Sequence, residues 1–103
     1  MDYQDVEKVL RAFRDDRGWQ KYHTLPALSR ALSIEAAEVS EHFLWRDAED
    51  GAKDAADLQA LKMEIADVLA YAYFMCMKLD VDPNALVMEK MAINQHRHWD
   101  QED

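Results

Sequence analysis

The chain has 103 residues, half of them hydrophobic, with only two glycines and two prolines. That is one domain's worth of chain with a core to bury, and the scarcity of turn formers excludes a turn-rich β fold. A formal net charge of -9 repels nucleic acid and anionic membranes, so a phosphate-bearing ligand would need a metal ion or a local basic patch.

The start, "MDYQDVEKVLRAF", lacks the basic and apolar regions of a signal peptide. The spacing predicts a first helix over Asp2 to about Arg17, with Val6, Val9, Leu10 and Phe13 on one face. Gly18 closes it, and "GWQKYHT" connects to the next element, presenting Trp19, Tyr22 and His23. Thr24 is a suitable N-cap, with Pro26 in the first turn, where its missing N–H costs little. The second helix runs to about Trp45, and Leu28, Leu32, Val39 and Phe43 form a narrow stripe at ~100° per residue. Glu35 falls inside that stripe and Glu38 at its edge, whereas Glu41 points almost to the opposite side.

The stretch "DAEDGAKDAAD" (47–57) reads as a loop leading into a third helix. That helix extends to about Leu79, with Leu61, Ile65, Val68, Ala72, Met75 and Leu79 as its core stripe. Glu64 flanks the stripe with Tyr71 near the same line, and Asp67 lies a little further round. Beyond Asp67 the helix is apolar on nearly every side, which demands cover all round and predicts a homodimer. Its apolar run, Val68 to Met77, is about half of what spans a bilayer. A soluble, cytoplasmic protein is expected. Cys76, the single cysteine, permits no intramolecular disulfide and reads as a core residue. Asp82-Pro83 starts a fourth helix, with Lys90, Asn94 and Arg97 aligned beside Leu86 and Ile93. The expected architecture is all-α: one domain over residues 1–103, a four-helix bundle.

The pairs Glu35/Glu38 and Glu64/Asp67 each place two carboxylates three residues apart, on one helix face. Four such charges on an inner surface require a compensating cation. Oxygen-only ligands select Mg²⁺, or Mn²⁺, over zinc. No histidine joins them in a ligand pattern, and no calcium-loop motif is present. On spacing alone the carboxylates read equally as a metal cage or as solvated faces of amphipathic helices.

"IEAAEVSEHFLW" followed by "EIADVLAYAYF" resembles the MazG-like all-α nucleoside triphosphate pyrophosphohydrolases, whose signature is E-E-x-x-E, a spacer, then E-x-x-D. "FRDDRGWQKYHTLPALSRAL" and "VDPNALVMEKMAINQHRHW" resemble segments of the dCTP pyrophosphatase branch. Ile34 stands where the longer signature has its first Glu, a carboxylate that branch also lacks. The resemblance implies Glu35, Glu38, Glu64 and Asp67 as Mg²⁺ ligands and water attack at the α-phosphorus, releasing a nucleoside monophosphate and pyrophosphate. Glu38 is the first choice for the carboxylate that takes the water's proton. Lys90 and Arg97 suit phosphate and Asn94 phosphate or sugar. Tyr71 could reach phosphate or ribose, and Trp19, His23 and Trp45 would wall a base pocket. Plain packing or a solvated helix face is the competing use of each.

The activity implied is housecleaning of the nucleotide pool, with dCTP or a modified relative as substrate and a homodimer or homotetramer as the assembly. Two alternatives remain: a pyrophosphohydrolase acting on phosphoribosyl-ATP, and a non-catalytic helical interaction module. The aromatics and "KMAINQHRHW" favour the first reading over phosphoribosyl-ATP.

Overall fold

The computed structural model of the protein describes residues 1–44 and 55–97. They form four α-helices and a 3-10 turn, in the order α1 (Tyr3–Asp16), the turn Gln20–Tyr22, α2 (Leu25–Glu41), α3 (Ala55–Lys78) and α4 (Pro83–Gln95). The helix starts follow local chemistry. Asp2 and Asp5 cap α1 reciprocally, each carboxylate accepting from the other's backbone N–H. The Thr24 hydroxyl accepts from Ala27 N at the head of α2, and Asp82 accepts from Asn84 N and Ala85 N at the head of α4.

Two helix ends are equally explicit. Gly18 takes φ +66° after α1, and Trp19 N donates to Arg14 O while Gly18 N donates to Asp15 O. This is a Schellman closure, which commonly brings the residue after the glycine back onto the last turn. Here that residue is Trp19, whose ring meets Phe13 edge-on at 5.5 Å. The same closure ends α3, where Asp80 holds φ 58° and Val81 N donates to Cys76 O. A non-glycine residue there costs roughly 1 kcal/mol.

The main packing is the antiparallel pair α2–α3, with α1 laid against α3. Among the described residues, Leu28, Phe74, Cys76 and Tyr3 form the buried core, and Pro83 is buried at the head of α4. Tyr3 meets Tyr73 edge-on at 5.7 Å. Cys76 is in the core, as expected from the apolar run around it. Leu28, 2% exposed, is the most deeply buried of them. Leu28→Ala should lower unfolding free energy by about 3 kcal/mol, read by urea denaturation. A loss under about 1 kcal/mol would show that the α2–α3 seam closes elsewhere.

The described residues hold the four expected helices, but α4 packs far less on the others than α2 does on α3. Leu86, Val87, Met88, Met91 and Ile93 of α4 are all exposed. The radius of gyration is 16.5 Å, against about 13 Å for a compact domain of this length. The expected stripe on α3 is only partly inside: Ile65 and Leu79 are exposed, and so is Phe43 beyond α2. No helix among the described residues is long and apolar enough to cross a membrane.

Candidate active site

The α2–α3 seam decides where the carboxylates meet. The helical phase that buries Leu28 brings Glu35 and Glu38 towards α3 and leaves Glu41 exposed. On α3, Glu64 and Asp67 stand one turn apart facing that seam. One carboxylate oxygen each from Glu35, Glu64 and Asp67 lies within 4.8 Å of the others, an arrangement that could hold a metal ion. Glu38 reaches both Glu35 and Glu64, close enough to share a proton with either. His42 Nε2 is 3.9 Å from Glu64 Oε1.

The electrostatics are those of crowded carboxylates that a cation could relieve. Burial pushes the Glu35 carboxyl above its ordinary range, as do a hydrogen bond to Glu38 and the charges of Glu38, Asp67 and Glu64. Glu64 is raised by burial and by Glu38 in the same way, with His42 pulling the other way. Like charges this close favour a shared proton in place of full ionisation. The other Glu35 oxygen is no better served: Oε2 is buried and meets no hydrogen-bond donor among the described residues. A buried carboxylate oxygen without a donor is costly, and a cation supplies what it lacks. The donor set is oxygen-only and fits a hard divalent ion such as Mg²⁺.

Two clefts open beside the carboxylates. The larger, about 330 Å³, has Glu35 and Asp67 in its wall, with Val9, Leu10, Phe13, Trp19, Ala70, Tyr71 and Phe74. The second, about 300 Å³, is lined by Trp19, Tyr22, His23, Ala27, Leu28, Ala31 and Tyr71. Trp19 and Tyr71 are common to both. An aromatic cleft thus runs from the 3-10 turn to the carboxylates, of the size that small-molecule sites take. The His23 ring packs on Phe74 at 4.7 Å, and burial, then the charge of Arg14, lowers its pKa from the ordinary value. Its ring is therefore neutral at pH 7.

Chain comparison gives this geometry a context. The MazG-like family model matches residues 31–103, which include all four carboxylates. The chain belongs to the MazG-like family. Among curated relatives it is 33% identical to dCTP pyrophosphatase 1 of Rattus norvegicus and 32% identical to that of Homo sapiens, each over 98 residues. These alignments cover 92% of this chain and 58% of each relative, so the chain spans little more than half their length. A crystal structure of a pyrophosphatase from Archaeoglobus fulgidus superposes with a TM-score of 0.77 at 38% identity, over 89% of this chain and 87% of that one. Within the family, the likeness is to the dCTP pyrophosphatase branch.

The other residues singled out in the sequence fall in three places. Trp19, His23 and Tyr71 line the aromatic clefts. Lys90 and Asn94 lie on α4 and Arg97 just beyond it, and none of the three lines either cleft. Asn94 turns its amide to Met91 Sδ at 3.9 Å, and its Oδ1 is buried without a donor. Trp45 lies outside the described residues, as does Trp99. Sequence reasoning missed Val9, Leu10 and Phe13 as cleft residues. Their helical stripe reads as core, and nothing local says that it faces the carboxylates.

Proposed function

We propose that this chain is a nucleoside triphosphate pyrophosphohydrolase. The observation that carries the reading is the continuity of the Glu35, Glu64 and Asp67 carboxylates, with Glu38 beside them, with a cleft walled by Trp19, Phe13 and Tyr71. A base stacks on the aromatic faces, leaving the phosphates at the Glu35 and Asp67 end. Glu35, Glu38, Glu64 and Asp67 would hold Mg²⁺, which would screen the triphosphate from a chain of charge -9 and polarise its phosphoryl oxygens. Glu38 would accept the proton of the attacking water, a role supported by its two carboxylate neighbours, which favour a shared proton. Attack at the α-phosphorus breaks its bond to the bridging oxygen, releasing a nucleoside monophosphate and pyrophosphate.

Deoxynucleotides, with dCTP and its modified relatives first, are the substrates that the likeness to dCTP pyrophosphatase 1 points to. The reading is tested with a panel of canonical and modified triphosphates and Mg²⁺, following both products. Absence of turnover on every one would defeat it. Glu41 provides a control within α2, since its side chain is exposed and is not among the clustered carboxylates. Glu41→Gln should change kcat/KM less than about twofold, whereas Glu35→Gln should cost at least about a hundredfold. Comparable losses would place Glu41 at the site.

The proposal includes a homodimer or homotetramer. The exposed apolar residues of α4 need cover, and a second copy could carry Lys90, Asn94 and Arg97 to a neighbour's phosphates. Trp45 remains part of the proposed base pocket. Sedimentation should show an assembly at micromolar concentration; a strict monomer would remove this part of the reading.

A further inference from the structure

On a chain of charge -9, one pocket has the opposite character. It has a volume of about 210 Å³ and is lined by Arg11, Arg14, Gln20, His23, Phe74, Met77 and Lys78. Among the described residues, three cations and no carboxylate face it. Arg11 and Arg14 come from α1 and Lys78 from the last turn of α3. None of the four clustered carboxylates lines it, and it shares only His23 and Phe74 with the aromatic clefts.

The two guanidiniums are held in place from outside the pocket. Arg14 donates through Nε to Asp15 at 2.8 Å, and Arg11 donates through one terminal nitrogen to Glu7 at 2.8 Å. Neither carboxylate lines the pocket. A guanidinium has five N–H donors in a rigid fork, so one contact fixes it without exhausting it. The Arg14 side chain is only 11% exposed, which pins the fork further. Its charge also acts inwards, being one of the causes that depress the His23 pKa.

The plain alternative is that Arg14 and Lys78 merely complement the C-terminal ends of their helices. That accounts for each cation separately. It does not account for both last turns, Arg11 and the Gln20 amide converging on one concavity. We infer that this pocket is a binding site for an inorganic phosphoryl anion, orthophosphate or pyrophosphate, or for the same group on a nucleoside monophosphate. Arg11 and Arg14 would supply directed hydrogen bonds, Lys78 a point charge and Gln20 a neutral donor.

The test uses the whole chain, freed of metal on a chelating resin, at low ionic strength. Sodium phosphate, pyrophosphate and deoxycytidine monophosphate are titrated separately by calorimetry, with no turnover measured, so the outcome is independent of the catalytic reading. Saturable binding in the millimolar range or tighter is expected. It should weaken about tenfold in Lys78→Gln and in Arg14→Gln and be unchanged in Lys8→Gln, an equal loss of charge at an exposed position outside the pocket. Lys78 is exposed, so its variant carries the test alone should Arg14→Gln fail to fold. Binding of the two inorganic anions in preference to the monophosphate identifies the free anion as ligand; equal binding of all three identifies the shared group. No saturable binding, binding unchanged in Lys78→Gln, or equal weakening by Lys8→Gln would overturn the inference.

Discussion

Glu64→Gln and Asp67→Asn are each expected to lower kcat by about three orders of magnitude, equivalent to about 4 kcal/mol of lost transition-state stabilisation. Both substitutions keep the shape of the side chain and remove its charge. The oxygens of Glu64, Asp67 and Glu35 lie within 4.8 Å of one another, so each amide would also put an N–H among groups that must all accept. Helix content should be unaffected, because both positions lie on α3 away from the buried Phe74 and Cys76. Circular dichroism and single-turnover kinetics with Mg²⁺ make the comparison. Activity within tenfold of the parent would take the substituted residue out of the cluster.

Much of this arrangement is legible one helix at a time. Asp2, Thr24 and Asp82 announce their helices because a short polar side chain has a local task at an N-terminus. Gly18 announces an end because its φ of +66° is cheap only for glycine. Helical phase separates Glu35 from Glu41 because both are measured against the same stripe. What escapes is how the faces pair. Phe13 is as apolar as Phe74, yet Phe13 is 42% exposed beside a cleft while Phe74 is 6% exposed. Ile65 and Leu79 satisfy the periodicity of a core stripe and are exposed nonetheless, and α4 has an apolar face with little among the described residues to meet it. Periodicity reports that a face is apolar; what covers it depends on the other helices and on further copies. The basic pocket escapes for the same reason, since Arg14 and Lys78 are distant in the chain and meet only when α1 lies on α3.

The metal-free protein should be stabilised by the substitution that disables it. Burial and Glu38 raise the carboxyl of Glu64 above its ordinary value of 4.5. The unfolded chain therefore gives up this proton at lower pH than the folded chain does. Where the folded state binds more protons, stability falls as pH rises. The contribution is fully present below about 4.5 and is lost as pH rises through the higher folded value. At pH 7 the ionised group is a liability that a neutral amide removes. In chelated buffer, Glu64→Gln should melt at or below the parent temperature near pH 4 and above it at pH 7, the difference growing with pH. His23, whose lowered pKa makes stability fall as pH drops below its ordinary 6.5, is common to both proteins and cancels in the comparison. Adding Mg²⁺ at pH 7 should reverse the order. A ligand at a hundred times its Kd stabilises by about 2.7 kcal/mol, which the parent gains and the variant, short of one anionic ligand, largely does not. A variant that melts lower than the parent at pH 7 without metal would mean that Glu64 contributes a structural contact, and that the crowding of Glu35, Glu38 and Glu64 carries no cost in want of a cation.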